Sequence, residues 1–411
     1  MKTPFGPIYK GRNMRKYIYA ASLLSALAVS ATMEQAANAA TAGTPYNIDV
    51  ILSLTGTASF LGNSEQHAIK IEQAVINAGD GIHGHPVNFV FHDDQSSGQI
   101  AVQLANQVLA THPKVIIGPT LVASCNAVAP LVRNDGPVMY CLSPGVHPTK
   151  PSYMFSASTS TADMIAATLH YYQLRGWTRI AILTATDATG QDAAKAIKAE
   201  MGMPENKALT LVADEHFNPS DVTVDPEIQA MKASNAQALI VWTSGTSLGT
   251  ALRGIANAGW NVPVATTHAN MQYKQMAQYK AFIPQQFYIA SPPAVFPSSQ
   301  KAGDTANVQA VRSEMFGAFT GMGQKPDMGV ALSWDPVLIA VNALNTLPDS
   351  ATNEQIRDYI ANLTSYAGIN GIYNMQATPQ RGLSLQNVIM TRWDAAKSDF
   401  VVVGGPGGTP F

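Results

Sequence analysis

From about residue 47 onward the chain alternates between two hydrophobic rhythms. Short runs of β-branched and aliphatic residues read as buried strands. Between them lie longer stretches in which apolar positions recur every three or four residues, as on one face of a helix. The first strand patterns are NIDVILSL (47–54), VNFVFHD (87–93), KVIIG (114–118) and PVMYCL (137–142), with helical patterns at 62–79, 100–110 and 121–133 between them. A second series brings a helix at 161–175, RIAILTA (179–185), a helix at 190–201, LTLVADEHF (209–217) and a helix at 226–233. It continues with ALIVW (238–242), a helix at 247–258, PVATT (263–267) and QFYIASPP (286–293). Two long helical patterns follow at 304–320 and 332–346. The stretches GINGIYNM and RGLSLQNVIMTRWD then alternate like paired strands, and GGPGGTPF reads as a flexible tail.

Repeated β-α-β runs of this length predict parallel sheets covered on both faces. Two such runs predict an α/β chain of two doubly wound parallel-sheet lobes. With the late helices completing the first lobe and the last strands the second, lobe 1 takes 45–159 plus 294–365 and lobe 2 takes 160–293 plus 366–411. The chain then passes between lobes three times, a three-strand hinge. Ligands of open parallel sheets sit beyond the carboxyl ends of the strands, and two such edges facing one another make a cleft.

Composition narrows the class. At 411 residues, 46% hydrophobic and 13% charged, the chain is too apolar for a disordered one. Lys10, Arg12, Arg15 and Lys16 precede an apolar run from Tyr17 to about Thr32 and then Ala37-Asn38-Ala39. This reads as a secretory signal peptide over 1–39, with Met14 as an alternative start. Residues 1–39 hold five basic residues and one acidic one, so their removal takes the formal charge from −2 to −6. A secreted, mildly acidic chain is not expected to bind nucleic acid. No later segment is read as long and apolar enough to span a bilayer, so a periplasmic, monomeric chain is expected. Cys125 and Cys141 remain. A disulfide and two buried thiols are both open readings.

The order and wording of several pieces resemble one family. They are SLTGTASFLG (53–62), AGDGIHGHPVNFVFHDDQSS (78–97), VIIGPTLVAS (115–124), PVMYCLSPG (137–145), RIAILTATDATGQD (179–192), LRGIANAGWNVPV (252–264) and GINGIYNM with RGL (368–383). Together they resemble the type I periplasmic substrate-binding proteins of branched-chain amino acid and related ABC importers, over nearly all of 45–395. The resemblance implies a two-lobed receptor that closes on a small molecule and docks on permease subunits in the membrane. It also implies that the loops after the third and fourth strands hold the ligand's carboxylate. Gly118-Pro119-Thr120 would clear room in front of a helix N-terminus, whose unpaired N–H groups and dipole favour an anion. Ser143-Pro144-Gly145 would supply a second wall.

Carried over by residue, the resemblance has departures. The family's amino acid binders often have Ser or Thr where this chain has Val122, Thr near His147, an aromatic near Leu61 and Tyr where this chain has Thr189. The acid that pairs with the ligand's ammonium falls at His268, and no Asp or Glu occurs between Glu227 and Asp304. A buried ammonium without a carboxylate partner is costly. The expected ligand is therefore a carboxylate without an amine, aromatic acids first among them. Phe60, Tyr153 and Trp242 are candidate aromatic walls, each equally open to an ordinary core role. His147 and His268 are candidate donors to an acid, and equally open to surface or core positions. The alternatives kept are a branched-chain amino acid or amide receptor, and a sensory receptor feeding a membrane partner.

Other chemistry is less supported. His83-Gly84-His85 and His92 have no acidic or thiol partners at zinc-like spacing. Gly245-Thr246-Ser247-Leu248-Gly249 matches G-x-S-x-G, but no acid lies between Ser247 and His268, the only later His, so the order of a hydrolase triad fails. No phosphate-loop motif occurs, and no cofactor is expected.

Overall fold

The computed structural model describes residues 43–297 and 304–411, so the signal peptide read into 1–39 lies outside the described residues. The first series of patterns becomes β1 (Tyr46–Leu52), α1 (Ser59–Ala78), β2 (Val87–Asp93), α2 (Gly98–Leu109), β3 (Val115–Ile117), α3 (Val122–Val132), β4 (Val138–Cys141) and β5 (Met154–Ser156). The strands form a five-stranded, all-parallel sheet in the order β2-β1-β3-β4-β5. Side chains alternate across a strand, and here both faces are dry. Val115 and Ile117 pack in the cluster that takes Ile69 and Ile76 of α1, whereas Ile116 packs with Ala101 of α2 and Val128 of α3.

The second series gives α4 (Thr161–Leu174), β6 (Arg179–Ala185), α5 (Ala188–Met201), β7 (Thr210–Phe217), α6 (Asp225–Ala233), β8 (Ala238–Trp242), α7 (Ser247–Asn257), β9 (Val264–Thr267), α8 (Tyr273–Tyr279) and β10 (Phe287–Ser291). The same alternation recurs, with Leu239 and Val241 facing Leu248 and Leu252 of α7, and Ile240 and Trp242 facing Met164 of α4 and Ile197 of α5. The C-terminal part holds α9 (Ala306–Gly321), α10 (Met328–Thr346), α11 (Asn353–Ala361), β11 (Tyr366–Gly368), β12 (Gly371–Tyr373), β13 (Ile389–Asp394) and β14 (Asp399–Gly404). The second sheet runs β14-β13-β10-β9-β8-β6-β7, and β13 is antiparallel to both β10 and β14. It is therefore mixed rather than purely parallel, because the last two strands enter as a hairpin-like pair.

The chain passes from the five-stranded sheet to the seven-stranded one between Ser156 and Thr161. It leaves the latter after Ser291 and returns to it between Tyr373 and Ile389. Three expectations need correction. Helix α10 is long and apolar enough to cross a membrane by length and composition, but it is a core helix. Its Leu332 and Trp334 join the cluster of the seven-stranded sheet, and its Val337 and Ala340 that of the five-stranded sheet. The tail is ordered: the Gly407 N–H donates to Val388 O at 2.9 Å, Phe411 N–H to Val403 O at 3.2 Å, and Gly407 O meets the His170 ring at 2.8 Å. Tyr153 is no cleft wall. It is buried in the five-stranded core with the Arg357 guanidinium 4.7 Å from its ring centre.

Cys125, in the first turn of α3, and Cys141, at the end of β4, form a disulfide with Cα atoms 6.0 Å apart. The bond ties together the two loops that follow β3 and β4.

Candidate binding cleft

A cleft lies at the carboxyl ends of strands from both sheets, where a parallel sheet leaves its loops and helix N-termini. Its walls are Leu61, Thr120, Leu121, Val122, Leu142, Ser143, Pro144, Gly145, Thr161, Thr189, Trp242, Ser244, Thr267, Ala269 and Leu332, around about 400 Å³ counted out to the open mouth. The loops after β3 and β4 thus face the loops after β8 and β9 and the first turns of α4 and α5.

Seven of the residues expected from sequence line this cleft: Leu61, Thr120, Val122, Ser143, Gly145, Thr189 and Trp242. Phe60, His147 and His268 do not. Phe60 is half-buried beside Leu61. His147 is half-exposed and bonds Asp192 Oδ1 at 2.7 Å. His268 is wholly buried, with Nε2 3.0 Å from Ser158 Oγ and Nδ1 without a partner. Burial, then the nearby Arg381 charge, push its pKa down to about 3, so its imidazole is neutral. Sequence reasoning missed Leu121, Leu142, Thr161, Ser244, Thr267, Ala269 and Leu332. Ser244 and Thr267 sit at or just past strand ends, so the strand-end rule could have found them. Leu332 lies within α10 and carries no local signal.

No lining residue carries an ionisable side chain. The walls mix aliphatic groups and an indole with hydroxyls. Four of those hydroxyls, on Ser143, Thr161, Thr189 and Ser244, make no hydrogen bond among the described residues. The first turn of α3 has no side-chain cap, so its N–H groups are open to a ligand.

Each wall has a different backing. Thr120 Oγ1 accepts from the Ser53 N–H at 3.2 Å and donates its proton to Glu65 Oε2 at 2.6 Å. Ser53 Oγ in turn donates to Asp94 Oδ1 at 2.7 Å. Burial holds the Glu65 pKa well above the ordinary range, and Asp94 and Asp327 add to it, while the Thr120 bond opposes the shift. Behind the other wall lies Arg381, from the third passage between the sheets. Its guanidinium donates to Pro144 O at 2.9 Å, Val146 O at 2.7 Å, Ala157 O at 3.2 Å and Ser158 O at 3.1 Å. Burial lowers its pKa to about 10, against the pull of Asp163 and Asp192.

Two glycines are explained by close approach. At Gly118, φ is +97° and a Cβ would stand 2.0 Å from Ile51 O, so glycine serves the contact between β3 and β1. The expectation that Gly118 clears room for a ligand is corrected accordingly. At Gly145 a Cβ would meet Val122 Cγ2 at 2.8 Å and Asp192 Oδ2 at 3.0 Å, so a larger residue would push both side chains aside. The other sequence motifs resolve locally. His83 pairs with Asp349 and His92 with Asp49, each at 2.7 Å. Ser247 Oγ lies 2.6 Å from Thr243 Oγ1 and donates to Ser244 O at 3.1 Å, a helix-start pattern.

A family model described as periplasmic binding protein matches residues 45–398. No curated protein matches the chain. Among solved structures, an extracellular ligand-binding receptor from Rhodopseudomonas palustris HaA2 is similar, with a TM-score of 0.77 at 17% identity over 88% of this chain and 100% of that one. A branched-chain amino acid transporter substrate binding protein from Streptococcus pneumoniae, in complex with isoleucine, gives 0.72 at 17% identity over 88% and 100%. A fatty acid ABC transporter substrate-binding protein from Thermomonospora curvata gives 0.73 at 15% identity over 88% and 92%. At these identities the likeness is one of fold.

Proposed function

The chain belongs to the periplasmic binding protein family, a family of non-enzymatic solute receptors, and on that premise we propose that it delivers a small amine-free organic acid to an ABC permease. The lobes of the reading are 45–159 with 294–365 and 160–293 with 366–411, closing on the ligand about their three connections. The observation that carries the reading is the cleft lining: open hydroxyls, apolar groups and an uncapped helix start, with no carboxylate among the lining residues. The carboxylate would lie between the α3 first turn and the Ser143-Pro144-Gly145 loop, and Leu61, Leu142, Trp242 and Leu332 would take the apolar body. An aromatic acid suits the indole wall.

One observation favours a second reading, a zwitterionic ligand. Asp192 Oδ2 is buried without a partner beside Gly145, and an ammonium placed there would meet it. Asp192→Asn separates the two. It leaves an amine-free acid bound at least as well, and it weakens an amino acid. Calorimetry of free acids against their methyl esters tests the main reading, because a lost charged hydrogen bond costs ~1.5–3 kcal/mol. Equal affinity for acid and ester would defeat it.

A further inference from the structure

Arg381 is a buried cation whose hydrogen bonds all end on backbone carbonyls. Among the described residues no carboxylate touches it. Asp163 is engaged in the capping box at Ser160, and Asp192 bonds His147. Tyr140 and Tyr373, the other titratable groups whose charge it feels, are deeply buried and stay neutral. A guanidinium is normally placed this deep only with an anion to meet.

Its targets are specific. Pro144 O belongs to the peptide group whose N–H is that of Gly145, a residue of the cleft wall, and that N–H has no acceptor among the described residues. A cationic donor on a carbonyl draws electron density through the amide and strengthens its N–H as a donor. Its other arm holds Ala157 O and Ser158 O on the first passage between the sheets. Ser158 stands there at φ +65°, a left-handed conformation rare outside glycine, with its hydroxyl on His268 at the end of β9. One side chain therefore fixes the wall, the passage and, through Ser158, the seven-stranded sheet.

We propose that Arg381 is the positioning residue that makes the cleft anion-selective, by polarising and orienting the Gly145 peptide toward the ligand's carboxylate. The proposal rests on the amine-free-acid reading and deepens it. The test titrates wild type, Arg381→Gln and Arg381→Lys with benzoate, 3-phenylpropanoate and 4-methyl-2-oxopentanoate, and with the amide of each. Wild type is expected to prefer an acid to its amide. Arg381→Gln should lower that preference at least tenfold while leaving amide affinity within about threefold, and Arg381→Lys should keep most of it. A merely structural role would weaken acid and amide alike. Wild type that binds no acid in preference to its amide defeats the acid reading and this proposal with it. Wild-type preference that survives unchanged in Arg381→Gln leaves the acid reading standing and overturns the role of Arg381. Equal loss in the Lys and Gln variants also overturns it. Should the Gln variant not fold, NMR of 15N-labelled wild type reads the same peptide. The Gly145 amide proton should move downfield on saturation with the acid and not with its amide, and an unmoved signal would overturn the proposal.

Discussion

Two neighbouring loops of the five-stranded sheet face one cleft, and opposite chemistry stands behind them. The loop after β3 presents Thr120, whose proton is already given to Glu65 and whose lone pair is taken by Ser53. The loop after β4 presents Ser143, whose hydroxyl is open, and Gly145, whose peptide is gripped by Arg381. Both loops contribute a small polar residue to the lining, so the lining alone makes them look equivalent. The residues one layer back separate them. The Thr120 side is a structural clamp made with acids that burial pushes toward neutrality. The Gly145 side is a donor surface with a fixed positive charge behind it.

Cutting the link between the two loops should have the largest effect. The Cys125–Cys141 bond closes a loop of 16 residues in sequence separation. Replacing both cysteines by serine is expected to lower the free energy of unfolding by ~3 kcal/mol, read by chemical denaturation. Acid affinity should fall with it, since both loops lose their common tether.

His268→Glu comes next. The Arg381 charge already acts on His268, so a carboxylate at that buried position would neutralise the field behind the Gly145 wall. Acid affinity in calorimetry should drop ~10-fold, about 1.4 kcal/mol. Unchanged affinity in a folded variant would mean that the field does not reach the ligand.

A crossed pair of substitutions sharpens the contrast itself. Thr120→Val leaves a buried Glu65 oxygen without its donor and should cost ~1–3 kcal/mol of stability with little change in acid affinity. Ser143→Ala should do the reverse, staying within ~0.5 kcal/mol in stability and losing ~0.5–1.5 kcal/mol in acid binding. Finding the same pattern for both would erase the distinction between the loops.

The smallest effect concerns pH. The folded-state pKa of Glu65 lies above its ordinary value of 4.5. The folded chain therefore keeps a proton that the unfolded chain releases. The group's contribution is fully present below about pH 4.5 and is lost as pH rises through the folded value. Glu65→Gln keeps an acceptor for Thr120 and removes that loss. Its stability relative to wild type should rise between pH 4.5 and 8 in parallel thermal melts. A difference that does not change with pH would show Glu65 to be unshifted.

The strands were largely legible because parallel strands buried on both faces are written as continuous apolar runs. ALIVW coincides with β8, buried along its length, whereas VNFVFHD coincides with β2, a part-exposed edge strand that was legible by its β-branched and aromatic residues instead. Three-residue β5 is too short to show any alternation, and α8 is too polar to show a stripe. Helix α11 went unread although its start carries a signal, Thr352 and Gln355 forming a capping box three residues apart. For the cleft, the family resemblance pointed to the loops after β3 and β4 and so to Thr120 and Ser143, and Trp242 was read as an aromatic wall. The resemblance also selected His268, at the place of the family's acid, and His268 does stand at a strand end but is buried in the protein rather than lining the cleft. Arg381 was not legible at all. A lone arginine in a polar loop carries no periodic signal, and its importance lies in which carbonyls the fold brings to it.

The central claim is that this cleft prefers a carboxylate without an amine, even with Asp192 Oδ2 beside Gly145. Its most direct test is paired calorimetric titration of the wild-type protein with acids that share a skeleton and differ at the amine. The pairs are leucine with 4-methyl-2-oxopentanoate, and phenylalanine with phenylpyruvate. The account predicts saturable binding of at least one amine-free acid and no heat from its amino acid partner. Tighter binding of leucine or phenylalanine than of the matching keto acid would contradict it.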